Sequence, residues 1–121
     1  MVRGCVDLLH GRDVDDSLVV ALGAPHAENV LGGIEGGKSG YCPRVWAARV
    51  LLYAWDDVAT DSIILATTDE SWRVREMAAK LAARHFVGDA SGAVAKPRDD
   101  PVERVRLAAE RAVIILTDDR A

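Results

Sequence analysis

Residues Asp69–Phe86 read DESWRVREMAAKLAARHF, and this stretch decides the fold. It reads as a strong helix. On a wheel of about 100° per residue with Val74 at zero, Val74, Ala78, Leu81 and His85 fall within about 40° of zero and form a core stripe. The stretch also recurs without a gap. Moving back 31 residues turns Arg75, Ala78, Lys80 and Leu81 into Arg44, Ala47, Arg49 and Val50, and moving forward 31 gives Arg106, Ala109, Arg111 and Ala112. The stripe positions hold Pro43, Ala47, Val50 and Ala54 in the earlier copy, and Val105, Ala109, Ala112 and Leu116 in the later one. Small residues at these places let paired helices approach closely.

The rest of the chain arranges itself around that period. Val6, Leu8 and Leu9 belong to a short first helix or dock on one. Asp13–Leu22 reads as a helix with acids in its first turn and Gly23 as its C-cap. Pro25 suits the first turn of a short helix through Ile34. The glycine-rich segment from Gly32 to Gly40 is a loop. Pro43 opens a helix to about Trp55, which Asp56-Asp57 break. Asp61–Thr67 carries Ile63, Ile64 and Leu65. Propensity alone allows a strand there, and the repeat decides for a short helix. Gly88 ends the central helix, Asp89–Ala95 is a weak helix stopped at Pro97, and Asp100-Pro101-Val102-Glu103 is a helix start with Asp at N-cap and Glu at N3. That helix runs to about Leu116, and the tail Asp118–Ala121 frays.

Short helix, turn, long helix, repeated every 31 residues, is the pattern of a solenoid whose units stack on their neighbours. The chain resembles HEAT repeats, in particular the short HEAT-like repeats first grouped with the phycobilisome lyases. That signature is an Asp in the inter-helix turn, then Val-Arg, then alanines. Here it stands as Asp69 with Val74-Arg75 and Ala78-Ala79, and as Asp100 with Val105-Arg106 and Ala108-Ala109. The first copy departs from it, with Lys38 in place of the Asp and Pro43 in place of Val, leaving Arg44 and Ala47-Ala48. The resemblance implies an all-α, right-handed α-solenoid of antiparallel helix pairs. One domain would span 1–121, with a partial repeat over about 1–23 and repeats over about 25–55, 57–87 and 88–118. It also implies that Asp69, Arg75, Asp100 and Arg106 form a structural Asp–Arg ladder between neighbouring repeats.

Composition bounds the function. With 121 residues, half of them hydrophobic and 28% charged, the chain is that of an ordinary soluble domain. A net charge of −4 counts against nucleic acid, whose phosphates want a basic footprint. Cys5 and Cys42 have no CxxC spacing and read as reduced thiols of a cytoplasmic protein. The N-terminus lacks the apolar run of a signal peptide, and no run reaches a membrane span. The histidines and cysteines show no metal-ligand spacing, and no serine sits in a nucleophile elbow or a triad. No cofactor, metal or catalytic residue is expected. His85, on the core stripe, reads as a satisfied core histidine rather than a catalytic one.

One motif points elsewhere. Gly32–Ser39 matches G-x-x-x-x-G-K-[ST], the phosphate-binding loop in which Lys38 would meet phosphate and Ser39 magnesium. The context argues against it. Ala27–Leu31 is a poor strand, and Pro43 falls in the turns of the helix that should follow, at a cost of about 3 kcal/mol. Nucleotide binding is the minor alternative.

Trp46, Arg49, Tyr53, Arg73, Met77, Lys80, Arg84, Arg104 and Arg111 fall between about 240° and 300° on the same wheel, beside the core stripe. Such a row of charges is ordinarily a solvated face. In solenoids, however, second helices line the concave surface, so the row also reads as the binding face for a protein partner, an acidic or amphipathic segment. The expected role is a non-catalytic scaffold. The alternatives are an enzyme or chaperone of the bilin-lyase type, or nucleic-acid binding. No polar cap is evident at either end, which leaves room for a homo-oligomer.

Overall fold

A computed structural model of the chain describes residues 1–117, with the backbone alone at Glu35. The expected frayed tail, Asp118–Ala121, lies outside them. All regular structure among the described residues is helical, with no strand. The chain divides into two compact units, Met1–Ala59 and Thr60–Ala121.

In the first unit, α1 (Val2–Leu9) buries Cys5, Val6, Leu8 and Leu9 and packs on α4 (Tyr41–Leu51), which buries Ala47, Ala48 and Leu51. α4 starts two residues before Pro43. Pro43 therefore sits in the first turn, where the missing N–H has no intrahelical partner to lose. The helix ends at Leu51 rather than Trp55. Of its expected stripe only Pro43 and Ala47 are fully buried, while Val50 and Ala54 are half-buried.

α2 (Asp16–Gly23) and α3 (Ala27–Leu31) enclose a smaller cluster of Val19, Ala27 and Val30, against which Val14, Cys42 and Trp46 pack. Gly23 is the last residue of α2 and not its cap. Its role is close approach, because an added Cβ would lie inside the Trp46 ring. The glycine-rich segment is more ordered than a plain loop. Gly33, Gly36 and Gly37 take φ of 100°, 87° and 67°, and a 3-10 turn spans Ile34–Ser39. α3 stops at Leu31, short of the expected Ile34, which is 58% exposed.

The second unit is built on α6 (Trp72–Arg84), which packs on α5 (Thr60–Ala66) and on α8 (Glu103–Leu116). The short α7 (Ser91–Ala95) packs on α8. Ile63, Val74, Leu81, Val94 and Val105 are fully buried, each contributing about 1.5–3 kcal/mol of hydrophobic stabilisation. Ala78, Ala79 and Ala82 on α6 and Ala109 and Ala112 on α8 are buried as well. His85 and Leu116, expected in the core, are only half-buried at their helix ends.

Two termini differ from expectation. Val87 N–H donates to Ala82 O, and Phe86 takes φ 52°, so α6 closes in a Schellman turn with Phe86, not Gly88, in the left-handed position. α8 begins at Glu103 with Val102 at N-cap, so Asp100 is not its cap. Instead Asp100 Oδ1 accepts the Val102 N–H at 2.9 Å, folding the turn ahead of the helix.

Candidate functional site

The turns before α6 and α8 have the same local construction. Asp69 Oδ1 accepts Ser71 N–H at 2.8 Å, as Asp100 Oδ1 accepts that of Val102. Arg75 Nη1 donates to Asp69 O and Arg106 Nη1 to Asp100 O, both at 2.8 Å. Before α4, Arg44 Nη1 donates to Ser39 O and Gly40 O, each at 3.0 Å. Each arginine thus bonds carbonyls of the turn ahead of its own helix. Arg75 goes further. Its Nε meets Asp100 Oδ2 at 2.7 Å and its Nη2 meets Oδ1 at 3.2 Å, with the side chains 17% and 7% exposed. Burial pushes the Asp100 carboxyl up. The Arg75 and Val102 hydrogen bonds and the charges of Arg75 and Arg106 outweigh it and hold the group below its ordinary value.

The phosphate-loop lookalike is laid out differently from a nucleotide cradle. Helix α3, not a strand, precedes it, and α4 begins after Gly40 instead of at Gly37-Lys38-Ser39. Lys38 Nζ is held by Asp16 at 2.7 Å and Asp13 at 3.3 Å, and the Asp16 hydrogen bond raises its pKa. A cleft of about 500 Å³ lies beside it, lined by Arg12, Asp13, Lys38, Ser39 and Arg44 among others. Its cations are engaged within the chain: Arg12 pairs with Asp7 at 3.0 Å, and Arg44 bonds the turn carbonyls.

The expected binding row is not uniform. In the first unit Arg49 and Tyr53 are exposed, Tyr53 by 80%. Trp46 is not an exposed anchor. Its ring packs on Gly23 and the Val19 cluster, because α2 presents no side chain at that point to keep it out. In the second unit Met77 is buried, 9% exposed, and belongs to the core side of α6. Arg73, Lys80, Arg84, Arg104 and Arg111 are exposed.

Two residues outside the expected row organise part of it. The half-buried Trp72 has the guanidinium of Arg73 at 4.5 Å and that of Arg104 at 5.3 Å from its ring centroid, both within cation–π range. Glu76, only 7% exposed, accepts Arg104 Nη2 at 3.2 Å and Lys80 Nζ at 3.3 Å, and its other oxygen forms an ion pair with Arg104 Nε at 2.8 Å. The arrangement is an aromatic plate edged by cations and anchored on one inward carboxylate. It offers an anion both charge and a flat apolar surface. The sequence carried two signals for it: the i,i+4 spacing of Glu76 and Lys80, and the adjacency of Trp72 and Arg73.

Cys5 is buried, and burial pushes its thiol up, away from the reactive thiolate. Among the described residues no three His, Cys, Asp or Glu side chains converge as a metal site would need, and no helix is long and apolar enough to cross a membrane. Comparison of the chain with protein-family models, with curated proteins and with solved structures finds no match.

Proposed function

We propose that the chain is a non-catalytic, cytoplasmic scaffold. In this reading its helix pairs form a HEAT-like, right-handed α-solenoid, and it binds an acidic or amphipathic segment of a partner protein. The repeat reading is supported by the recurrence of one turn construction: Arg44, Arg75 and Arg106, spaced by 31 residues, each bond carbonyls of the turn ahead of their own helix.

The binding reading rests on one observation, the Trp72 ring flanked by Arg73 and Arg104, with Arg104 fixed on Glu76 yet 65% exposed. A guanidinium already oriented by an internal carboxylate loses little further freedom on meeting a second anion, and tryptophan and arginine are the side chains that dominate interface energetics. Carboxylates of a bound segment would meet Arg73, Arg104 and Lys80, and its apolar side chains would lie on Trp72.

The test is a titration followed by Trp72 fluorescence in a chain carrying Trp46→Phe and Trp55→Phe. The probe is an amphipathic peptide of Glu and Leu, and its Lys-for-Glu counterpart is the comparison. The acidic peptide should bind saturably and weaken with salt. Arg73→Glu with Arg104→Glu should reduce affinity at least about tenfold, roughly 1.4 kcal/mol, while Arg98→Glu leaves it unchanged. Equal binding of both peptides, or unchanged binding to the double variant, would remove the proposal.

A further inference from the structure

The face of α8 turned away from its core carries a pattern that fits itself. Val105, Ala109 and Ala112, all fully buried, form the inward side. Leu107, Glu110, Arg111 and Ile114 stand at i, i+3, i+4 and i+7, one stripe on the opposite side. Leu107 is 55% and Ile114 67% exposed, and Glu110 and Arg111 are exposed as well. A solvent-facing helix side ordinarily carries polar groups where these two aliphatics stand. Among the described residues the side chains of Glu110 and Arg111 make no ion pair or hydrogen bond. As sequence neighbours they do not face each other.

We infer that this stripe is the contact between two copies of the chain, related by a two-fold axis that sets α8 antiparallel against α8 of the second copy. The order along the stripe is apolar, acidic, basic, apolar. A two-fold axis between positions 110 and 111 places Leu107 opposite Ile114 of the other copy and Glu110 opposite its Arg111. Both pairings then occur twice, as an isologous interface requires. Four aliphatic side chains leave water, and two unlike-charge pairs form at the centre.

Head-to-tail addition of a copy lacks the matching group. Arg75 holds the turn carboxylate of Asp100, but the residue 31 before Asp69, which would present a carboxylate to Arg106 of another copy, is Lys38. One helix pair is a small contact, so the dimer is a weak one and depends on concentration. Arg104 stands three residues before Leu107 on the same helix, so the stripe borders the Trp72 surface, and sedimentation without added peptide reads the self-association alone.

Sedimentation velocity over a concentration series from about 1 µM to about 1 mM tests the inference, a span wide enough to bracket a weak complex. The wild-type chain should shift from monomer to dimer. Arg111→Glu gathers acids at the axis, and Glu110→Arg gathers bases. Each should weaken dimerisation at least about tenfold with an unchanged helical spectrum, since both residues are exposed. The exchanged pair, Glu110→Arg with Arg111→Glu, should restore it, because the two-fold axis again sets unlike charges opposite each other. A wild-type chain that stays monomeric throughout would overturn the inference. So would dimerisation indifferent to the single reversals, or an exchanged pair that fails to recover. A stripe that instead serves a different protein's helix would give the monomeric result.

Discussion

Arg75 and Asp100, 25 residues apart in the chain, form a two-pronged ion pair, Nε to Oδ2 at 2.7 Å and Nη2 to Oδ1 at 3.2 Å. The same arginine bonds the Asp69 carbonyl, and the same aspartate folds the turn ahead of α8. The pair therefore ties two inter-helix turns of the second unit to each other.

Removing Asp100 should be costly. Hydrogen bonds to charged groups contribute about 1.5–3 kcal/mol each, and Arg75 would be left half-buried without its carboxylate. Asp100→Ala is expected to lower the unfolding free energy by about 2–3 kcal/mol, whereas Asp99→Ala, at an exposed neighbour, should cost under about 0.5 kcal/mol. Urea denaturation of the two variants makes the comparison, and equal midpoints would count against the pair.

The pH dependence follows in sign. The Asp100 carboxyl titrates below its ordinary value in the folded chain, so the unfolded chain takes up the proton first as pH falls. Its contribution is present above about pH 4 and disappears as pH drops through the lowered folded value. Stability of the wild-type chain should fall more steeply below about pH 4 than that of Asp100→Asn. Parallel curves would show that another carboxylate carries the acid response.

Phe86 closes α6 at φ 52°, a conformation costing a non-glycine residue about 1–2 kcal/mol. Its side chain is 62% exposed, so little burial compensates. Phe86→Gly relieves the strain but frees the unfolded chain by about 0.4–1 kcal/mol, which leaves a net gain of about 0.5 kcal/mol. Phe86→Val, β-branched and stiffer, should lose stability instead. A loss of stability in Phe86→Gly would show that the ring carries more than its exposure indicates.

What the sequence made legible was whatever depends on period. The stripe Val74–Ala78–Leu81 is fully buried, and so is Val105–Ala109–Ala112, because a helix repeats its face every 3.6 residues whatever surrounds it. Helix α5 likewise replaces the strand that Ile63–Leu65 allowed, with Ile63 inward and Ile64 and Leu65 outward. The misses depend on a second element. Trp46 shares a wheel sector with exposed cations, yet Gly23 on α2 opens a place for its ring. Met77 shares that sector too and is covered. Asp100 has the letters of an N-cap but spends its carboxylate on Val102 and Arg75. A glycine across the fold or an arginine 25 residues back cannot be read from a single helix wheel.

The Gly23–Trp46 contact has its own test. Gly23→Ala places a methyl group inside a rigid ring, and overpacking of this kind costs about 1–3 kcal/mol. In a Trp46→Leu background the same substitution should cost less than half as much, because the obstructing atoms are gone. A double-mutant cycle measures the coupling, and additive losses would mean the Trp46 ring has another place to go.

Glu76 and Arg104 supply the last expectation. The Glu76 side chain is 9% exposed, accepts one hydrogen bond each from Arg104 and Lys80 and has Arg104 Nε at 2.8 Å as an ion-pair partner, whereas Arg104 is 65% and Lys80 47% exposed. The three charges are unequal in what they need. The cations can turn to water when the network breaks, but the carboxylate cannot. Arg104→Ala should therefore cost about 1–2 kcal/mol, the worth of one charge-assisted bond and an ion pair discounted because one partner is solvated. Lys80→Ala removes one long bond on the helix surface and should cost under about 0.5 kcal/mol. The decisive variant combines Arg104→Ala with Glu76→Met. A buried charge without its partner is worse than an apolar side chain of similar size, so the double variant should be more stable than Arg104→Ala alone. If denaturation shows the double variant to be the weaker of the two, Lys80 and water already satisfy Glu76, and Arg104 is held beside Trp72 by the ring rather than by the carboxylate.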